Sequence, residues 1–413
     1  MIGRRCRKAA PLLWACAEGG DAALDTSMDT MMKHCMLCPR ECGADRTAGA
    51  FGVCRAPDRV ILARAALHFW EEPCISGQAG SGAVFFSGCS LGCVFCQNAE
   101  ISGSYRLSAS GLPEREAVRP EGRQAQADSE GRQEQVSFQG NQEQAAFQGN
   151  QEQPSFQGNQ EQASFQGRQA QAGFAKKPAQ ALPEGKLPGI EVSEEELAGI
   201  FLRLQNREGA NNINLVTATH YIPQTAHALS IAREKGLRIP VIYNSGGYEK
   251  ESSLRMLEGL VDVYLPDFKY MSSETAAAYS HAPDYPETAK LAIAEMIRQT
   301  GAVSFCSGDG TQLIQKGVIV RHLLLPGHVN EAKEIISWLH STYGNAICLS
   351  IMNQYTPMPR VREHPLLGRK TTRREYERLL DYAVGIGVEH GYMQEGGTAK
   401  ASFIPSWNGE GVR

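Results

Sequence analysis

The stretch VFFSGCSLGCVFCQN, Val84–Asn98, puts three thiols, Cys89, Cys93 and Cys96, into one short turn-rich loop. Val84, Phe85 and Phe86 form an apolar run closed by Ser87-Gly88, the pattern of a buried strand that ends where the loop begins. Gly88 and Gly92 let backbone approach a bulky group. Thiolates are the ligands of iron–sulfur clusters, and a [4Fe–4S] cluster normally takes four of them. A loop with three therefore leaves one iron without a cysteine from that loop, and a substrate could bind there. The same sulfurs could instead be a zinc site, buried thiols or a disulfide knot. Zinc knuckles favour CxxC pairs with a fourth ligand close by, so the spacing CxxxCxxC favours the cluster.

Working outward, the 413 residues are 42% hydrophobic and 21% charged, an ordinary globular composition able to bury a large core. A formal charge of −4 without a long basic run gives no reason to expect nucleic acid as a main partner, and no run approaches the ~18 apolar residues of a membrane span. Seven of the twelve cysteines stand at ligand-like spacings between Cys35 and Cys96, which reads as metal binding in a reducing cytoplasm and not as a secreted disulfide framework. Arg4, Arg5, Arg7 and Lys8 before PLLWACA imitate a signal peptide, but the apolar core is short and quickly turns polar. With Met28, Met31 and Met32 just ahead of the cysteines, residues 1–33 read as a disordered extension or an early start codon.

Residues 34–78 read as a cysteine-rich metal-binding segment. Cys35, Cys38, Cys42 and Cys54 fall within twenty residues, with Pro39, Gly43, Gly49 and Gly52 supplying tight turns, and zinc, a single iron or a second cluster would all accept four thiolates. His34 reads as a surface residue, since four thiols already complete a tetrahedron. In HFWEEPCISG, adjacent Glu71 and Glu72 would point to opposite faces of an extended segment and read as structural, and Cys74 reads as a small buried hydrophobe. Gly77, Gly80 and Gly82 precede a strand, which removes them from consideration as a dinucleotide fingerprint.

From 104 to 188 the composition collapses into Gln, Gly, Glu, Ala and Ser, with a nine-residue unit (GNQEQASFQ and its variants) from Gly122. One Phe per unit, such as Phe138, Phe147, Phe156 and Phe165, cannot build a core, so a disordered insertion is expected. Beyond it, strand-like runs (INLVT, IPVIYN, VDVYLP, GVIVRHLLLP, ICLSIM) alternate with helix-like ones. Ser193 and Glu196 form a capping box at the start of the first helix. With AVFFS this makes six βα units, an α/β fold expected as a partial (β/α)6 TIM-like barrel over 79–385, followed by a tail, 386–413, that reads as a wrapping segment. In such folds the site gathers at the C-terminal ends of the strands.

CxxxCxxC with an aromatic, Phe95, before the third cysteine resembles the signature of the radical S-adenosylmethionine (SAM) superfamily. The longer run HFWEEPCISGQAGSGAVFFSGCSLGCVFCQNAEIS resembles its branch related to pyruvate formate-lyase activating enzyme. The resemblance covers most of Cys35–Tyr355, apart from the insertion. It implies that SAM's amino and carboxylate groups chelate the open iron. An electron, from a donor such as a flavodoxin or ferredoxin, then splits SAM into methionine and a 5′-deoxyadenosyl radical. That radical takes a hydrogen atom from a substrate, and the closer resemblance implies a protein glycine.

The same resemblance distributes roles along the rim. Phe95 would line the cofactor. Thr217 and Thr219 stand where relatives grip SAM's amino group, although TATH departs from the usual GGE-like motif. Asn244 ends a strand whose following Gly246-Gly247 would let a nucleoside approach. Asp267 and Lys269 resemble a DLK motif, with Lys269 paired to SAM's carboxylate, the alternative being a salt bridge that closes the loop. Of Arg321 and His322, neighbours on one strand, Arg321 is expected inward, its guanidinium suited to a carboxylate or ribose. His220 and Tyr243 are candidate hydrogen donors to the substrate. A non-catalytic iron–sulfur carrier or scaffold is the other class of function compatible with these cysteines, and it needs no SAM pocket.

Overall fold

The computed structural model of the protein describes residues 28–103, 187–308, 311–394, 405 and 407–412. The chain divides into two units, residues 1–112 with 182–413, and residues 113–181. The second unit, most of the expected repeat insertion and residues 1–27 of the expected extension lie outside the described residues.

Among the described residues ten strands form in chain order: β1 (Val60–His68), β2 (Ser81–Phe86), β3 (Ile190–Val192), β4 (Ile213–Val216), β5 (Val241–Ser245), β6 (Val263–Pro266), β7 (Ser304–Gly308), β8 (Thr311–Leu323), β9 (Cys348–Met352) and β10 (Gly391–Met393). Their spatial order is β10-β9-β8-β6-β5-β4-β2-β1-β3, with β7 paired to β8 alone. From β2 to β10 every neighbour pair is parallel, whereas β1 lies antiparallel to both β2 and β3. The six anticipated strands are therefore present in sequential order in one mostly parallel sheet.

Between them run six longer helices: α1 (Glu194–Asn206), α2 (Ile222–Glu234), α3 (Ser273–Ser280), α4 (Tyr285–Thr300), α5 (Val329–Tyr343) and α6 (Arg373–Gly385). The helix starts are written in the sequence. Ser193 accepts the Glu196 amide while Glu196 returns a bond to the Ser193 amide, and Thr372 with Glu375 repeats that box at α6. Such a cap is worth about 1 kcal/mol. Leu197, Ile200, Phe201 and Leu204 then bury one stripe of α1.

Alternation sorts the strand residues onto two faces. Leu215, Tyr243, Tyr264, Val318 and Val320 pack with the helices. Ile242, Val263, Leu265, Ile319 and Cys348 face the other way and meet Cys74 and Ile75 of a one-turn helix, Pro73–Ser76, so Cys74 is a small core residue as expected. By register Asn214, Asn244, Asp267, Arg321 and Ser350 share this second face. His322 faces away from it, buried, with Nδ1 2.8 Å from the Phe268 carbonyl.

Three features depart from expectation. Residues 28–33, placed in a disordered extension, form a helix with Met32 buried against Cys35 and Leu37. Glu71 and Glu72 do not diverge, because they lie in a turn entering the one-turn helix, with Glu72 at its N-cap, and both carboxylates reach Arg321. The tail, read as a wrapping segment, contributes β10 to the sheet and lays residues 407–412 along β1, where Gly409 donates to the Ala63 carbonyl, Ala65 donates to that of Glu410 and Trp407 meets Phe85 edge-on. Finally β1, β3 and β7, which carry no alternation strong enough to announce themselves, widen the sheet. Among the described residues no helix is long and apolar enough to cross a membrane.

Candidate active site

Strand β2 ends in Ser87-Gly88, and the chain turns at once into the cysteine loop. Gly88 has φ +99°, and a Cβ there would stand 2.8 Å from the Cys54 carbonyl oxygen and 2.9 Å from His220 Nε2, so only glycine fits. The loop is then pinned from three sides. The Gly88 amide donates to the Ile101 carbonyl, Val94 donates to the Tyr279 carbonyl, and the Arg40 guanidinium reaches the carbonyls of Ser90, Ser280 and His281.

Cys89, Cys93 and Cys96 lie together, partly buried, all three as free thiols. Each sulfur already has a polar neighbour. The Leu91 amide donates to Cys89 Sγ at 3.4 Å, Ser280 Oγ donates to Cys93 Sγ at 2.9 Å, and Ser102 Oγ lies 3.7 Å from Cys96 Sγ. Burial and then the neighbouring sulfurs push the Cys89 and Cys96 thiols up. Three enclosed thiolates repel one another unless cations stand among them, which is what a cluster of irons supplies. Among the described residues, no group of three or more Cys, His, Asp or Glu side chains is set to hold a single metal ion. The cysteines of a cubane bind different irons and need not converge on one point, so this donor set fits a cluster.

Beside the sulfurs stands Lys269, ion-paired through Nζ with Asp267 Oδ2. Burial opposes its charge, but Asp267 and then Cys93 outweigh burial and hold the ammonium above its ordinary range. The Tyr285 hydroxyl fixes this corner, accepting from the Lys269 amide at 3.0 Å and donating to the Gly246 or Asp267 carbonyl. A Cβ on Gly246 would meet Leu91 of the cysteine loop at 2.9 Å and Lys269 Cε at 3.8 Å, and one on Gly247 (φ +77°) would strike the Asp267 carbonyl. Gly246 thus admits the cysteine loop against the end of β5, and Gly247 lets that turn close on the Asp267 carbonyl.

The remaining expected residues separate into two groups. Thr217 and Asn244 stand at the strand ends, joined by a 2.8 Å bond from the Thr217 amide to the Asn244 carbonyl, with both side chains partly exposed. Thr217 holds φ +62°, a left-handed conformation uncommon for a β-branched residue. Phe95 is buried edge-on against Tyr355, 5.9 Å between ring centres.

The others turn away from the rim or are already engaged. Thr219 and Tyr243 bond the two oxygens of a buried carboxylate, Glu249, at 2.7 and 3.2 Å. Arg321 points inward as expected, but Glu71 and Glu72 occupy its guanidinium and leave no free fork for a carboxylate or ribose. His220 is enclosed beneath the loop, where burial and then Arg46 push its pKa down to about 3. Its neutral ring donates from Nε2 to the Ser87 carbonyl at 2.8 Å, a brace with no face toward the rim.

Residues absent from the sequence reading now emerge. Ser280, with Tyr270 behind it at 2.6 Å, supports Cys93, and Arg40 and Arg46 tie the cysteine-rich segment to the loop. Glu249, raised to about 7 by burial, anchors the turn after β4. Its signal was faint: a single Glu following Gly-Gly-Tyr, indistinguishable in sequence from a surface residue.

No family model matches this chain. The uncharacterized protein MJ0674 of Methanocaldococcus jannaschii is 24% identical to it over 357 residues, 86% of this chain and 75% of that protein. Among solved structures, SuiB of Streptococcus suis bound to S-adenosylmethionine is 14% identical with a TM-score of 0.35, over 50% of this chain and 44% of that one. SuiB bound to its precursor peptide SuiA is 13% identical with a TM-score of 0.34, over 50% and 43%. This chain spans less than half the length of those structures, and a likeness so slight carries no argument about fold or function.

Proposed function

We propose that this protein is a radical SAM enzyme. The observation that carries it is the placement of Cys89, Cys93 and Cys96 at the C-terminal end of β2, against the ends of the strands that present Thr217, Asn244, Asp267 and Lys269. Cys89, Cys93 and Cys96 would hold three irons of a [4Fe–4S] cluster, the fourth being left for SAM's amino and carboxylate groups. The chemistry that cluster and SAM supply when bound is one-electron cleavage of the sulfonium to methionine and a 5′-deoxyadenosyl radical, with the electron from a flavodoxin- or ferredoxin-like donor.

The chain's own residues bind and orient. Lys269 offers the SAM carboxylate a cation, and Asp267 keeps that cation aimed and charged. Asn244 and Thr217 offer an amide and a hydroxyl to the nucleoside. Leu91 and Phe95 bury the sulfur side of the loop and exclude water from it. The hydrogen-atom donor is read as a glycine of a partner polypeptide. What supports that reading is the likeness of the cysteine stretch and of Asp267-x-Lys269 to the activating enzymes. His220 and Tyr243, both enclosed, are given no part in the chemistry.

The test is anaerobic reconstitution with iron and sulfide, reduction by dithionite and quantification of 5′-deoxyadenosine. Wild-type protein should form it and Cys93→Ala should not. Formation at the wild-type rate by Cys93→Ala, or none by wild-type protein carrying a full cluster, refutes the proposal.

A further inference from the structure

The four cysteines of the N-terminal segment are unused by that chemistry, yet they are arranged with as much care. Residues 35–55 fold back on themselves. The Gly43 amide donates to the Cys35 carbonyl at 3.0 Å, Cys35 donates to that of Ala44 at 3.1 Å, and Glu41 donates to that of Cys38 at 3.0 Å. Glu41, Gly43 and Arg55 all take left-handed φ to make these turns. Gly52 closes the unit, since a Cβ there would lie 2.4 Å from Cys42 Sγ. All four thiols are free, and only Cys42 is exposed.

Two observations say what these sulfurs are for. First, the turns fold Cys42 back onto Cys35, with Cys42 Sγ 3.8 Å from the Cys35 carbonyl oxygen, while Cys35, Cys38 and Cys54 are buried within the same short segment. Second, Arg46 is 2% exposed and, among the described residues, has no carboxylate partner. It donates to the carbonyls of Pro57 and His220, lies over the Tyr221 ring, and sets Nη1 3.9 Å from Cys35 Sγ. Carbonyls satisfy its hydrogens but leave its charge uncompensated, and a buried cation needs an anion. The ionisable group set beside it is the Cys35 sulfur.

We propose that Cys35, Cys38, Cys42 and Cys54 form a closed four-thiolate zinc site, with Arg46 as its counter-charge, that braces the loop carrying Cys89, Cys93 and Cys96. Four thiolates around one divalent ion carry a net charge of −2, which Arg46 reduces to −1. Closed tetrahedral sulfur sets suit zinc, which also outcompetes ferrous iron at such ligands. The sulfurs are neighbours without standing at single-ion distances, and ligation would draw them in, because metal binding and local folding are one event at such sites. The brace runs through three contacts: the Cys54 carbonyl against Gly88, Arg46 through His220 to the Ser87 carbonyl, and Arg40 to the Ser90 carbonyl. The zinc site stands without the cluster reading, and only the purpose of the brace rests on it.

Metal and acid-labile sulfide are measured on the full chain purified without oxygen from zinc- and iron-supplemented medium. About one zinc per chain is expected in wild type and in Cys93→Ala, and none in Cys38→Ser or Cys54→Ser. If those variants do not fold, wild-type protein stripped by a chelator and titrated with Co2+ should show thiolate charge-transfer and tetrahedral ligand-field bands. Arg46→Met should weaken zinc about tenfold or more in chelator competition, and Arg46→Lys should recover most of that. Hydrogen exchange at Ser87–Cys89 should quicken when zinc is removed. Iron in place of zinc at this site, extra sulfide that survives Cys93→Ala, or no metal at all overturns the site, and unchanged exchange overturns the brace. Failure of the cluster reading looks different: zinc present, sulfide absent.

Discussion

The two cysteine sets touch, yet they are built on opposite plans. The knuckle between Cys35 and Cys54 makes its own turns, supplies four sulfurs and encloses a guanidinium, all within about twenty residues, as the proposed closed site would require. The loop between Cys89 and Cys96 supplies three sulfurs, borrows Ser280 from the end of α3, and sits beside Lys269 from the end of β6. A closed set satisfies its metal and stays inert, whereas a set one ligand short must be completed by something else, and that is where chemistry can enter. On the two proposals, the first region would serve shape and the second reaction, with the three-cysteine loop leaning on the knuckle through His220 and Cys54.

The sharpest way to break this contrast is to exchange losses between the two sets. Cys96→Ser should abolish 5′-deoxyadenosine formation and sulfide content while leaving zinc in place, and loss of zinc in that variant would erase the distinction. Arg321 belongs to neither set. Arg321→Met would leave Glu71 and Glu72 buried without their cation and should cost about 3–5 kcal/mol in urea denaturation, with metal content per folded chain unchanged at both sites. A stability within 1 kcal/mol of wild type would show that this buried trio holds nothing together.

Glu249 lies behind the turn after β4 and gives a subtler handle. Its carboxyl titrates near 7 in the folded chain against an ordinary 4.5, burial being the main cause. Between those values the folded chain holds a proton that the unfolded chain has released. Its contribution is full below pH 4.5 and is lost as the pH rises through 7, at most about 3 kcal/mol. Glu249→Gln should flatten the stability profile between pH 5 and 8 relative to wild type, and parallel profiles would disprove the assignment. The smallest effect is expected at Lys269. Lys269→Met removes one charge-assisted bond, about 1.5–3 kcal/mol, so binding of labelled SAM to cluster-loaded protein should weaken roughly 10- to 100-fold. Zinc affinity should be unaffected, because Lys269 serves only the reactive set.

How much of this was legible depended on range. The capping box at Ser193, the six parallel strands and the two cysteine groups are short-range patterns, with periods of two to four residues or spacings within one loop, and they are readable as such. The roles of single polar residues were not. Arg321 was read as a ligand-binding arm, but the loop after β1 delivers Glu71 and Glu72 to it across about 250 residues of chain. His220 was read as catalytic because it follows a strand, but it sits under Gly88, sealed between Arg46 and Ser87.

From the sequence by itself came the kinds of atoms present and their local spacing: three sulfurs here, four there, a parallel α/β order, and an acid–base pair two residues apart at the end of β6. Local spacing follows from covalent geometry and needs no partner. Only the tertiary structure decided which charges meet. It spent Arg321 on two carboxylates, left Arg46 with none, and carried Ser280 to Cys93. Whether a buried polar group is free to act depends on what burial sets opposite it, and those partners are hundreds of residues away in the chain.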